Sequence, residues 1–220
     1  RLTLSATKDG TVTGLKVDLL ADLGSHVAIV GGGVPVLGAF MFNAIYKFPA
    51  YHFACQTVLT NKTWTDAYRG AGRPEGNYYF ERLLEQAARE TGRDPVELRR
   101  INHIKPEQMP FKAPSGSTYD SGEFSAVLEQ ALRAADWDGF PARKAESAAR
   151  GKLRGRGIGN FLECTAPPSK EQGEIRFEAD GTVTIVTGTL DYGQGHWTPF
   201  AQVLHQKLGV PFGSIRLVQG

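Results

Sequence analysis

Cysteine is almost missing from this 220-residue chain: only Cys55 and Cys164 occur, far apart in sequence. That scarcity excludes a disulfide framework and any cysteine-rich zinc or iron-sulfur site, and it fits a reducing, cytoplasmic compartment. The five histidines, at 26, 52, 103, 196 and 205, form no HExxH pattern and no close cluster, so no metal is expected to be bound directly by side chains. Charge of one sign is also lacking. The 25 basic and 23 acidic residues leave a net charge of +2, with no basic stripe of the kind nucleic-acid binding needs. The chain opens on Arg1-Leu2-Thr3-Leu4 without a methionine or a signal-peptide pattern, already alternating like a strand. The one long uncharged run, residues 27–46, contains Gly31-Gly32-Gly33, Pro35 and Gly38, which would disturb backbone groups that a lone membrane span must satisfy. It reads instead as a buried glycine-rich loop with short apolar elements near a pocket.

The chain is 41% hydrophobic, enough to bury one or two sizeable cores. Leu2–Ala6 alternates like a strand, Lys8-Asp9-Gly10 supplies a turn, and residues 11–20 alternate again, which predicts a hairpin. A further extended run covers 52–60. Phe80, Leu83, Leu84, Ala87 and Ala88 recur at helical spacing up to a stop at Thr91-Gly92. Asp94-Pro95 caps a short helix reaching Arg100, a proline-bearing loop is expected over 106–121, and two helices follow, one around Phe124 to Leu132 and one over 142–150. Composition changes near Gly151-Lys152-Leu153-Arg154-Gly155, which places a domain boundary between 150 and 151. Beyond it, 157–165 and 174–178 read as strands, and Ala179-Asp180-Gly181 turns into another at 182–187. The Asp-Gly-Thr-Val-Thr strings at 9–13 and 180–184 look like a repeat, but Asp-Gly hairpins recur through turn chemistry alone. Hairpins mixed with separated helices indicate an α+β fold with mixed and antiparallel sheets. Both ends look cut from a longer protein.

Two glycine-rich bends carry the chemistry. Ala67-Tyr68-Arg69-Gly70-Ala71-Gly72-Arg73-Pro74-Glu75 joins an arginine, a bend and a helix start. Gly70 and Gly72 let backbone NH groups approach an anion or a metal-bound oxygen, and Arg69 stands just ahead of a positive helix end. Taken alone, the stretch reads equally as a glycine-rich connection with a surface arginine. Asp191-Tyr192-Gly193-Gln194-Gly195-His196 is expected to repeat the arrangement, with free NH groups directed outward before a helix containing Phe200, Val203, Leu204 and Leu208. The Gln194 amide suits a ligand of mixed polarity, such as a pterin or a metal oxo group. His196 reads as a helix-start residue bonded to nearby backbone in preference to a metal ligand. No GxGxxG or GxxxxGK[ST] spacing is present. Arg69 and Gln194 are expected to converge on one polar ligand.

The ordered set Tyr46-Lys47-Phe48-Pro49, Thr60-Asn61-Lys62, Ala67 through Glu75, Leu98-Arg99-Arg100-Ile101-Asn102 and Gly193-Gln194-Gly195-His196 resembles the molybdopterin-binding large subunit of the xanthine dehydrogenase and aldehyde oxidase superfamily. The resemblance covers essentially the whole chain and is strongest to the bacterial branch labelled carbon monoxide dehydrogenase large chain. It implies a molybdenum-molybdopterin cofactor, in the cytosine dinucleotide form, in the parent protein. Hydroxylation of an aldehyde or N-heterocycle with oxygen from water would pass electrons to iron-sulfur and FAD subunits. It assigns Arg69 to the pocket wall, Gly70, Ala71, Gly72, Arg73, Gly193, Gln194 and Gly195 to cofactor binding, and Tyr68, Leu37 and Phe161 to the substrate pocket. Residues 1–150 would form a first molybdopterin-binding domain and 151–220 the truncated start of a second. The general-base glutamate and another glycine-rich segment would lie outside these residues, so the fragment alone is expected to be inactive and cofactor-free. A homodimer of the large subunit is a further expectation.

Departures from the family pattern bear on substrate. Xanthine-oxidising members carry an arginine where this chain has Leu37 and an aromatic ring where it has Ala71. Carbon monoxide oxidisers carry a copper-ligating cysteine where it has Gly70. Carbon monoxide oxidation, or a binding module whose cofactor site has lapsed, stand as the alternatives.

Overall fold

The computed structural model describes residues 1–164 and 170–220, which divide into two compact units, Arg1–Cys164 and Thr165–Gly220. The fold is α+β, with mixed and antiparallel sheets.

In the first unit β1 (Leu2–Ala6) and β2 (Val12–Asp22) form the expected antiparallel hairpin, and β3 (Ala50–Val58) pairs with β2 in parallel, Leu15 opposite Tyr51. Alternation along β2 turns Leu15 and Val17 into the core, and Val12, beyond the register shift of the pairing at Ser5/Ala6, is buried as well, each at most 3% exposed. Between β2 and β3 lie a one-turn helix, α1 (Val34–Leu37), and a 3-10 turn, Gly38–Met41. The expected burial of this uncharged run holds only in part. Met41, Phe42, Ala44, Ile45 and Tyr46 are buried, whereas Val27, Ile29, Val30, Val36, Leu37 and Phe40 are exposed. Helix α2 (Arg73–Thr91) lays Phe80, Leu84 and Ala88 on the sheet, their spacing matching the helical period. It ends at Gly92, whose φ of 67° provides the left-handed cap.

Helix α3 (Pro95–Asn102) is capped by Asp94, whose side chain accepts from the NH groups of Val96 and Glu97 at 2.8 and 2.9 Å. At its other end buried Asn102 accepts from Val12 N at 2.8 Å and donates to Gly10 O at 2.9 Å, tying the first hairpin turn to the helix. The stretch expected as plain loop contains a small antiparallel pair, β4 (Phe111–Lys112) with β5 (Thr118–Tyr119), packed over Ile104. Two-residue strands are too short for alternation to reveal. Helices α4 (Phe124–Ala134) and α5 (Phe140–Ala149) follow.

Residues 157–164, expected as a strand, pair with no strand; Thr165 lies outside the described residues. Side chains hold this segment instead. Fully buried Arg99 donates to Ile158 O at 3.2 Å and to Glu81 at 2.9 Å, while Asn160 donates to Tyr46 Oη at 3.0 Å and lies 3.0 Å from His103 Nε2. Tyr46 donates to the other Glu81 oxygen, and that buried, anionic neighbourhood pushes its hydroxyl well above the usual range.

The second unit has antiparallel β6 (Gly173–Phe177) and β7 (Val183–Thr187), then α6 (Trp197–Leu208), then β8 (Ile215–Gln219) parallel to β7. Val183, Ala201, Leu204 and Ile215 form its core. Each unit therefore has a hairpin, a helix and a parallel third strand, in that order. The hairpin turns match in detail, since Asp9 and Asp180 each accept from the NH two residues on, at 3.3 and 3.0 Å. Among the described residues no helix is long and apolar enough to cross a membrane.

Candidate functional site

The first glycine-rich bend is built by left-handed backbone: Gly70, Ala71 and Gly72 have φ of 106°, 45° and 91°. Such values suit glycine and cost an alanine about 1 kcal/mol. Gly72 is also fixed by crowding, because a Cβ there would collide with Val34 O and come within 2.9 Å of Gly38 N. The end of α1 thus abuts the bend, which brings Leu37 into its neighbourhood. Asp66 ties in the preceding loop, accepting from Val30 N at 3.1 Å and Ala67 N at 2.8 Å.

Within the bend the NH of Ala71 donates to Tyr68 O at 2.8 Å and that of Arg73 to Gly70 O at 3.2 Å. Among the described residues the NH groups of Gly70 and Gly72 have no hydrogen-bond acceptor, and the exposed Arg69 has no ion-pair partner. Arg73 is engaged inward. Its Nε lies 2.9 Å from Gly70 O and 2.8 Å from Glu163 Oε1, and its Nη1 lies 2.8 Å from Cys164 Sγ. Four residues along α2, Asn77 exchanges bonds with Leu162, donating to its carbonyl at 3.0 Å and accepting from its NH at 3.3 Å. The neighbouring Phe161 is 58% exposed and Tyr68 is 89% exposed. A cavity of about 360 Å³ under the bend is lined by Asp22, Gly31, Pro35, Thr65, Gly72 and Glu75, with none of Tyr68, Leu37 or Phe161.

The second bend works differently from the sequence expectation. The carboxylate of Asp191 accepts from Gly193 N at 2.7 Å, Gly195 N at 3.1 Å and His196 N at 2.9 Å, so these donors are already satisfied. Those backbone bonds hold the Asp191 carboxyl below its usual range. Gln194 Oε1 accepts from Tyr192 N at 2.7 Å, leaving the amide hydrogens as the free half of that side chain. Cβ atoms added at Gly193 or Gly195 would meet nothing within 4 Å. His196 bonds the Gln219 side chain at 3.1 Å, not the nearby backbone, and stacks on Phe200. Arg69 and Gln194 stand in separate units.

Sequence reasoning missed Asp191 and Glu163. Asp191 had a signal, because an aspartate two residues before a glycine bend favours such a turn. Glu163 had none, since its partner lies ninety residues earlier.

The family description "Molybdopterin cofactor-binding domain" matches residues 1–103 and, in a second form, residues 130–220. The chain belongs to this family of molybdopterin-binding large-subunit domains. It is 34% identical to the carbon monoxide dehydrogenase large chain of Hydrogenophaga pseudoflava, over 99% of this chain and 29% of that protein. To the nicotine 6-hydroxylase large subunit of Paenarthrobacter nicotinovorans it is 29% identical, over 98% of this chain and 28% of that protein. The crystal structure of quinoline 2-oxidoreductase from Pseudomonas putida 86 superposes with a TM-score of 0.87 at 30% identity, covering 100% of this chain and 30% of that one. The chain therefore spans under a third of the length of the relatives it matches.

Proposed function

We propose that the protein containing this chain is the large subunit of a molybdenum hydroxylase. It oxidises an aldehyde or an N-heterocycle with oxygen from water and passes electrons to iron-sulfur and FAD partners in the cytoplasm. The observation that carries this reading is the Gly70–Gly72 bend, with two unpaired NH groups beside an exposed arginine, inside a domain of the molybdopterin-binding family. That donor set fits an oxygen-rich, anionic cofactor, and we assign it the cytosine dinucleotide form.

When bound, the molybdenum cofactor supplies oxygen transfer and accepts two electrons from the substrate. The chain's own residues do the holding. Gly70 and Gly72 offer backbone donors that need no reorganisation, and Arg69 adds a cation beside them. In its own unit Gln194 offers its amide hydrogens as donors, because its oxygen is taken by Tyr192 N. Tyr68 and Phe161 offer exposed rings on which a planar substrate can rest. Proton abstraction is assigned to a glutamate outside these residues.

The test is the metal and pterin content of the complete protein purified with its partners from a molybdenum-replete host. One molybdenum per large subunit is expected, and a preparation lacking both refutes the reading. A second reading, oxidation of carbon monoxide, is favoured by the similarity to the Hydrogenophaga chain and opposed by Gly70, which offers no thiol for copper. Stoichiometric copper with carbon monoxide turnover would establish it. Absence of molybdenum from the wild type, unaltered in Arg69→Ala and Gln194→Ala, would favour a lapsed site.

A further inference from the structure

Arg73 belongs to the glycine-rich bend in sequence, yet its guanidinium is committed within the protein. Its Nε sits between Gly70 O at 2.9 Å and Glu163 Oε1 at 2.8 Å, and its Nη1 meets Cys164 Sγ at 2.8 Å. The side chains of Arg73 and Glu163 are only 21% and 30% exposed. Glu163 is oriented in turn by accepting from Cys164 N at 2.9 Å. A Cβ at Gly70 would stand 3.6 Å from Glu163 Oε2, so the carboxylate lies directly against the bend. The anchor beneath it is firm, since Asn77 is 3% exposed and bonds Leu162 in both directions.

Gly70 has no side chain with which to hold its own conformation, and a backbone without a Cβ is permissive. An arginine that takes the Gly70 carbonyl restricts that freedom, and a carboxylate on the same Nε fixes the arginine. We propose that Glu163, acting through Arg73, is a positioning residue that sets the Gly70–Gly72 bend in its cofactor-holding shape. Arg73 is then a brace, not a cofactor ligand. The inference rests on the proposed function and adds to it a pair of residues from distant parts of the chain.

The two roles for Arg73 separate experimentally. In the complete protein with its partners, Glu163→Gln and Arg73→Lys are each expected to lower the molybdenum retained per large subunit after gel filtration by about fivefold. Because the two act as one unit, the double variant should lose no more than the worse single. Glu163→Asp, which keeps the charge, should recover part of the retention. The remote Arg100–Glu129 pair supplies the control: Glu129→Gln removes a surface ion pair of comparable exposure and should leave retention unchanged. Any variant whose circular dichroism and thermal transition match wild type counts as folded, and Glu163→Asp serves if Glu163→Gln does not meet that standard. Full retention in Glu163→Gln with a loss in Arg73→Lys overturns the proposal and makes Arg73 a direct ligand. Additive losses, or a loss in Glu129→Gln as large as in Glu163→Gln, overturn it too. A wild-type protein without molybdenum overturns the functional reading, and this inference with it.

Discussion

Replacing Arg99 by methionine puts the buried network of the first unit to the test. The guanidinium is fully buried and makes contacts of 2.9 Å to Glu81, 3.0 Å to Glu85, 2.9 Å to Pro95 O and 3.2 Å to Ile158 O. Methionine fills much of the volume but leaves Glu81, with its side chain 10% exposed, without its cation. Breaking one side of such a pair costs about 3–5 kcal/mol, because the remaining charge stays desolvated. At about 1.4 kcal/mol per decade, amide protection in α3 and residues 157–164 should fall at least about 100-fold when followed by hydrogen exchange and mass spectrometry. Peptides from the second unit report on their own core and should change little. Adding Glu81→Gln should restore about 1 kcal/mol or more, since no lone charge is then buried. Protection within fivefold of wild type in Arg99→Met, or a double variant as weak as the sum of the singles, would refute this account.

Other consequences are open to equally direct measurement. Burial, with Lys105 and Arg99 close by, pushes the His103 imidazole down to about 4 from its usual 6.5. The unfolded chain therefore binds more protons in that window. Stability should rise by at most about 3 kcal/mol as pH climbs from about 4 to about 6.5, and His103→Gln should flatten that slope in urea titrations. Gly72→Ala forces a Cβ against Val34 O at a φ of 91° and should destabilise the first unit by about 2 kcal/mol or more, read as a lower thermal midpoint. Gly70→Cys should not create a copper site by itself, because its φ of 106° and the Pro74 ring leave no room for the side chain; metal analysis of that variant decides the point. Asp191→Ala should expose the amides of Gly193, Gly195 and His196 to rapid exchange while the amides of β7 stay protected.

Local rules carried much of the fold. The first hairpin, the capped start of α3, the Gly92 stop and the apolar face of α2 follow from turn chemistry and period, and the structure reproduces them. The parallel pairings of β3 with β2 and of β8 with β7 are different in kind, because strand partners separated by a helix leave no mark in either strand. Residues 157–164 have the composition of a strand but find no edge to join, and Arg99, Asn160 and Asn77 give their backbone its partners instead. For the candidate site, the glycine bends were visible as punctuation. Whether their NH groups were free or already taken was not, since that depends on where one carboxylate, Asp191, turns.

The two units share a frame, yet their glycine bends fall at different stations on it. In the first unit the bend follows the third strand, β3, and opens α2; in the second it lies between β7 and α6, before the third strand. They are not two copies of one device. A graft exchanging the two loops would move a self-satisfied turn into a place braced for open donors, and an open turn into one with no brace. The bends are thus poor interchangeable parts for engineering, and each should be redesigned only with its own partner, Glu163 in one case and Asp191 in the other.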